Sequence, residues 1–216
     1  PFIGGVPISI ARLKAGLTAL GDAVLVVAPR YRGQPRGETD TVRVPALLAL
    51  GEKREFRVAN LFLPSIRRRV RDFRPDLIHV HHPFWLGSLG VFVARRLGVP
   101  VIYTYHTRLE HYAHFVPLPG ALFRNLISHA LIRRFANRCD GVVVPTDSTE
   151  EYLRMIGVTT PSLVQPTGIE YARFGDVDAA AVARLRRQLA LGDDERVLVS
   201  VSRLSTEKNI DFLIDA

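Results

Sequence analysis

The chain has 216 residues, 47% of them apolar, enough to bury one large domain or one domain with part of a second. Its formal net charge of +8 favours anionic partners such as phosphates or acidic lipid surfaces, although a solvated basic surface would carry the same charge. The single cysteine, Cys139, excludes an internal disulfide, no Cys/His spacing fits a zinc site, and no apolar run reaches the ~18 residues of a membrane-spanning helix.

In chain order, Pro1-Phe2-Ile3-Gly4-Gly5 lacks the basic start and apolar stretch of a signal peptide and leads into a predicted helix over Val6–Leu20. Strands are predicted at Ala23–Ala28, Leu77–Val80, Val101–Tyr105, Gly141–Val144, Ser162–Gln165 and Val197–Val201. Further helices are predicted at Asn60–Phe73, Leu86–Leu97, Ala121–Asn137, Ser148–Ile156 and Ala179–Leu189, with Gly21, Gly98 and Gly157 at C-cap positions. Arg30–Glu55 is polar and rich in Gly and Pro, so it reads as irregular with one short strand at Thr41–Val44. His111–Gly120, which contains Pro117 and Pro119, reads as a loop.

The strands are apolar throughout rather than alternating, as in parallel sheets covered on both faces. Alternation with helices predicts an α/β fold, a Rossmann-like doubly wound parallel sheet. A boundary near Gly168–Asp178 divides a domain over 1–170, with its first strand missing, from a linker and the start of a second Rossmann-like domain over 171–216. Both ends look cut, so the chain reads as a fragment. Lys208 to Ala216 begins a helical pattern.

Four segments carry candidate chemistry. Gly4-Gly5-Val6-Pro7 opens a helix whose free N–H groups suit a phosphate or a sugar hydroxyl; an ordinary strand-to-helix turn reads the same way. His79-Val80-His81-His82 lies at the carboxyl end of a strand, where open parallel sheets bind ligands. Period-two alternation puts His79 and His81 on one face. His79 reads as a satisfied core residue, His81 as a candidate for the site, and the absence of an accompanying carboxylate weighs against a metal. Tyr103-Thr104-Tyr105-His106-Thr107 ends a second strand, and His106 can bond a sugar hydroxyl or steady developing charge. Glu110, Tyr112 and His114 follow it. Finally, Arg203 and Lys208 bracket a strand end and a helix start, spaced to clamp a pyrophosphate.

Two helices are strongly basic. One carries Arg67, Arg68, Arg69, Arg71 and Arg74; the other carries Arg124, Arg133, Arg134 and Arg138 opposite Leu122, Leu126, Ile127, Ala130, Leu131 and Phe135. Packing on the sheet accounts for such amphipathicity, and anionic lipid heads are a candidate partner for the arginines. Aromatic residues do not interleave with basic ones as in nucleic-acid readers, so no nucleic-acid partner is expected.

These segments together resemble the GT-B-fold, retaining glycosyltransferases of family 4. The resemblance rests on Gly4-Gly5-Val6, Pro75 to His81, Tyr103 to Thr107, Pro145-Thr146, Pro166-Thr167-Gly168-Ile169 and Ser202 to Asn209, in that order. The stretch from Thr104 to Pro117 is most similar to the bacterial branch that glycosylates diacylglycerol and related lipids. The resemblance implies an acceptor-side domain facing a donor-side domain, with the chain covering the first and only the opening of the second. It implies transfer of a hexose from a UDP- or GDP-linked sugar to a lipid or sugar acceptor, with retained configuration. Gly5, Arg203 and Lys208 would bind the donor, with no metal and no cofactor beyond the nucleotide-sugar substrate. His106 would be catalytic, and His81, Glu110, Tyr112 and His114 would lie on the acceptor side. Much of the donor domain, including its paired-glutamate motif, lies outside this sequence, so the 216 residues alone are expected to transfer little sugar. The expected location is cytoplasmic, peripheral at the inner face of the plasma membrane. The competing readings are a sugar-nucleotide epimerase and a non-catalytic sugar- or membrane-binding protein of the same fold.

Overall fold

The computed structural model describes residues 4–31, 33–34, 37–50, 56–59, 64–106, 121–192, 194–202, 204 and 208–215. The chain divides into two compact units, Pro1–Ile169 and Glu170–Ala216.

The first unit is built around a four-stranded parallel sheet. Its strands are β5 (Ile78–Val80), β6 (Val101–Thr104), β7 (Gly141–Val144) and β8 (Ser162–Val164), paired in chain order. Parallel neighbours need a crossover. Helices α3 (Leu86–Leu97), α4 (Ala121–Ala136) and α5 (Asp147–Met155) supply the three. Upstream lie α1 (Gly5–Ala19), the parallel pair β1 (Val26–Pro29) and β2 (Thr41–Val44), and α2 (Pro64–Phe73). An antiparallel pair, β3 (Ala46–Leu50) and β4 (Phe56–Ala59), stands between β2 and α2.

Caps fix the helix ends. Gly98 closes α3 at φ 70, a left-handed conformation that a Cβ disfavours. Thr146 caps α5 by accepting the Thr149 N–H, and Asp147 and Glu150 add negative charge to the first turn.

The core follows from alternation along β6. Val101, Tyr103 and Tyr105 are buried and meet Val91, Ala94, Ile132, Phe135, Ala136, Val142 and Val144. Tyr103 packs edge-on to Phe135 with ring centroids 4.9 Å apart. Asn137 ties the end of α4 to the segment before β8. Its amide donates to the Gly157 carbonyl at 3.0 Å and its oxygen accepts from the Thr159 N–H at 2.8 Å. A smaller core, Val44 and Ile66 with Val27, Val42 and Val70 against them, joins α2 to the β1–β2 pair.

The structure changes four sequence expectations. Residues Val197–Val201 form no strand, and Leu198 and Val201 are 96% and 92% exposed. A strand exists through its partner, and the second unit has no other extended segment among its described residues, only a 3-10 turn (Tyr171–Phe174), α6 (Ala179–Gln188) and α7 (Ile210–Asp215). The region Arg30–Glu55 was expected to be irregular outside Thr41–Val44, yet it supplies β3, because its apolar run Ala46-Leu47-Leu48-Ala49-Leu50 finds β4. Helix α4 does not bury its whole apolar side. Ile132, Phe135 and Ala136 form the i, i+3, i+4 stripe that meets the sheet, leaving Leu126, Ile127 and Leu131 exposed. Gly5 is the first residue of α1 rather than part of the turn before it, because Gly4 takes the extended N-cap conformation.

Candidate functional site

The parallel register of β5 and β6 builds the site. His79 lies opposite Ile102, so Thr104 stands two residues further along β6 on the same face. His79 Nε2 meets Thr104 Oγ1 at 2.6 Å. The next step along both strands repeats the offset: His81 Nδ1 meets His106 Nε2 at 2.9 Å. The three imidazoles stack in a row, with centroids 4.3 Å apart for His79 and His81 and 5.2 Å for His81 and His106. The row ends at the carboxyl ends of two adjacent strands, where a ligand reaches an open parallel sheet.

Burial makes charge costly here. It lowers His79 from the usual imidazole value to about 4, with the neighbouring His106 adding to the effect. Burial lowers His81 further, to about 3, reinforced by His79, His106 and His82. His106 is lowered by burial as well. His79 and His81 are therefore neutral near pH 7, and burial disfavours the charged form of His106 as well. Between His81 Nδ1 and His106 Nε2, one nitrogen donates its proton and the other accepts it, so each ring's tautomer fixes its neighbour's. The row offers directed donors and acceptors rather than positive charge.

The turn after β5 is tightly held. A Cβ on Gly87 would overlap the His82 carbonyl oxygen, so only glycine allows α3 to begin so close to the strand end. The Ser88 hydroxyl donates to the Pro83 carbonyl at 2.9 Å, and the Gly87 N–H to the Phe84 carbonyl at 2.8 Å.

The structure thus brings His81 and His106 together and adds His79 and Thr104 to them. The signal for those two was the same alternation that selected His81 and His106. His79 does have a hydrogen-bond partner, as a satisfied residue should, but that partner belongs to the row. Gly5 starts α1 with open space around the position of a Cβ. Helix α1 reaches the Pro166–Ile169 segment through Arg12, whose guanidinium donates to the Gly168 carbonyl at 2.8 Å. Lys208 is exposed in the second unit, just before α7. Arg203, Glu110, Tyr112 and His114 lie outside the described residues. A separate polar hollow of about 590 Å³ lies beside β1 and β2. Arg43 crosses its wall, bound to Glu38 by two bonds of 2.7 and 2.6 Å.

Comparison with known proteins places this geometry. The family model for Glycosyltransferase Family 4 matches residues 3–173. An alpha-monoglucosyldiacylglycerol synthase of Streptococcus pneumoniae is 34% identical over 100% of this chain and 49% of its own length. A GDP-mannose-dependent alpha-mannosyltransferase of Corynebacterium glutamicum is 28% identical over 99% of this chain and 51% of its own length. The chain therefore spans about half the length of these relatives. Among solved structures, Anabaena HepE, crystallised in complex with UDP and glucose, superposes with a TM-score of 0.60 at 16% identity, over 98% of this chain and 54% of that one. The shared α/β architecture with parallel sheets is that of the GT-B glycosyltransferases.

Proposed function

The chain belongs to glycosyltransferase family 4, and from that premise we propose that its protein moves a hexose from a UDP- or GDP-linked sugar to a lipid acceptor, with retained configuration and without a metal. The observation that carries this reading is the neutral row His79–His81–His106 at adjacent strand ends. A sugar presents several hydroxyls and no charge. A row of fixed, uncharged donors and acceptors suits it better than a cationic pocket would.

In this reading His106 bonds the donor sugar and holds the transferring carbon in place, while His81 fixes the His106 tautomer and faces the acceptor side. The backbone of Gly5 approaches the donor at the start of α1. Arg203 and Lys208 take the diphosphate, whose negative charge grows as the sugar leaves. Two cations in that role make a metal unnecessary. Glu110, Tyr112 and His114 are proposed for the acceptor side. The names of the relatives support a lipid acceptor: diacylglycerol is part of the product named for the Streptococcus pneumoniae enzyme. A basic surface supports it too, since Arg67, Arg68, Arg71, Arg133, Arg134 and Arg138 are all exposed, and anionic lipid heads attract such a surface. Among the described residues no helix is long and apolar enough to cross a membrane, which fits attachment at a membrane face.

The test is direct. The whole protein is incubated with diacylglycerol and, in turn, UDP-glucose, UDP-galactose and GDP-mannose, with and without a chelator, and the products are read by mass spectrometry. One hexosylated lipid, formed equally well with chelator, is expected. No hexosylated lipid from any of these donors would end the proposal.

A further inference from the structure

Trp85 is the only tryptophan in the chain, and its backbone is strained. It sits at φ 40 and ψ −100, a region that bulky side chains avoid. Such strain persists only where the surroundings enforce it, and it gathers at binding and catalytic sites. Here they do enforce it. Gly87 leaves no room for a Cβ beside the His82 carbonyl, the Ser88 hydroxyl donates to the Pro83 carbonyl, and the Leu89 N–H donates to the Trp85 carbonyl at 2.9 Å. The result of this locked turn is two large aromatic residues at the surface, Phe84 45% and Trp85 50% exposed. The turn begins immediately after His81, one residue past the end of β5.

A sugar site commonly backs an aromatic face with carboxylates or amides that bond hydroxyls. From His82 to Leu86 this turn has none; it reads His-Pro-Phe-Trp-Leu. Two exposed rings on an apolar, rigid turn beside a polar histidine row suit a ligand that is polar at one end and apolar at the other. Tryptophan itself favours that kind of boundary.

We propose that Phe84 and Trp85 form the contact for the acyl-glycerol portion of the acceptor, next to the histidine row that takes its polar end. This rests on the lipid-acceptor reading above and names the residues that would select for lipid. Rigid presentation costs the ligand little ordering on binding, which gives the strain a use.

The sole tryptophan makes the test specific. The full chain is titrated with neutral phosphatidylcholine vesicles carrying dioleoylglycerol, with the same vesicles lacking it, and with glucose, while Trp85 emission is followed. A saturating blue shift with dioleoylglycerol alone, and loss of emission when its acyl chains are brominated, is the expected result. An unmoved emission, an equal shift with plain vesicles, or a shift with glucose instead would overturn the proposal.

A second measurement uses Trp85→Gly in the whole protein. Glycine accepts the positive φ, so this variant should melt at or above the wild-type temperature. Its KM for the lipid should rise about tenfold with kcat little changed, the mark of a lost binding contact rather than a lost transition-state contact. A raised melting temperature with unchanged KM would assign the strain to the fold alone. If the protein hexosylates no acceptor at all, the function proposed above fails, and the emission titration still decides whether Trp85 binds lipid.

Discussion

His81 shows how much one position depends on its neighbours. Its ring stacks between those of His79 and His106, and its Nδ1 shares one proton with His106 Nε2. Removing either ring leaves the other's nitrogen without its partner in a half-buried place. His106→Ala is therefore expected to lower kcat of the whole protein on the order of 100-fold, as loss of one preorganised hydrogen-bonding group does. His106→Asn should recover part of that, and steady-state kinetics on both variants check it. A wild-type rate for the alanine variant would remove His106 from the site. The sequence made His81 and His106 visible because both end strands of plain pattern. Thr104 was harder to see, since a hydroxyl in a strand is unremarkable until register shows what stands opposite.

At the scale of elements, the strands of the four-stranded sheet and the helices between them were the legible ones. Gly141–Val144 and Leu86–Leu97 fall where their apolar patterns predict. Two of the differences turn on whether an apolar run finds a strand to pair with. Val197–Val201 has a strand's composition but no ladder, whereas Ala46–Leu50 has its partner in Phe56–Ala59, within a stretch that polarity and glycine had marked as irregular. Local propensity cannot report either fact. The joint between β5 and α3 gives the sharpest prediction at this scale. Gly87→Ala forces a methyl group against the His82 backbone, so it should destabilise the protein by about 2 kcal/mol, as overpacking does. Chemical denaturation measures it. An unchanged midpoint would mean that α3 can begin farther from the strand than its packing shows.

For the molecule as a whole, charge governs two behaviours. The first is acid stability. In the unfolded chain the histidines take up protons near pH 6.5. In the folded one His79 and His81 wait until about 4 and about 3. Between these values the unfolded state binds more protons, so stability falls as pH falls from 6.5 toward 3. Melting temperatures across that range should decline, and His81→Asn should flatten the decline; an equally steep slope in the variant would place the effect elsewhere. The second is adhesion. With a net charge of +8 and exposed arginines on α2 and α4, the protein should co-sediment with anionic vesicles at low salt and release as salt rises. Changing Arg67 and Arg68 to Glu should weaken it. Equal sedimentation with neutral vesicles would show that charge is not the cause.

The two-residue offset between β5 and β6 gives the histidine row a parity. Because faces alternate, the sheet reads its own sequence modulo two. Inserting one residue within Ile78–His81 would turn one histidine away from its partner, whereas inserting two would restore the face. Helix α3, between the paired segments, can change length without touching the parity. Variation in this protein should therefore be tolerated in the connection and counted in pairs along the strands.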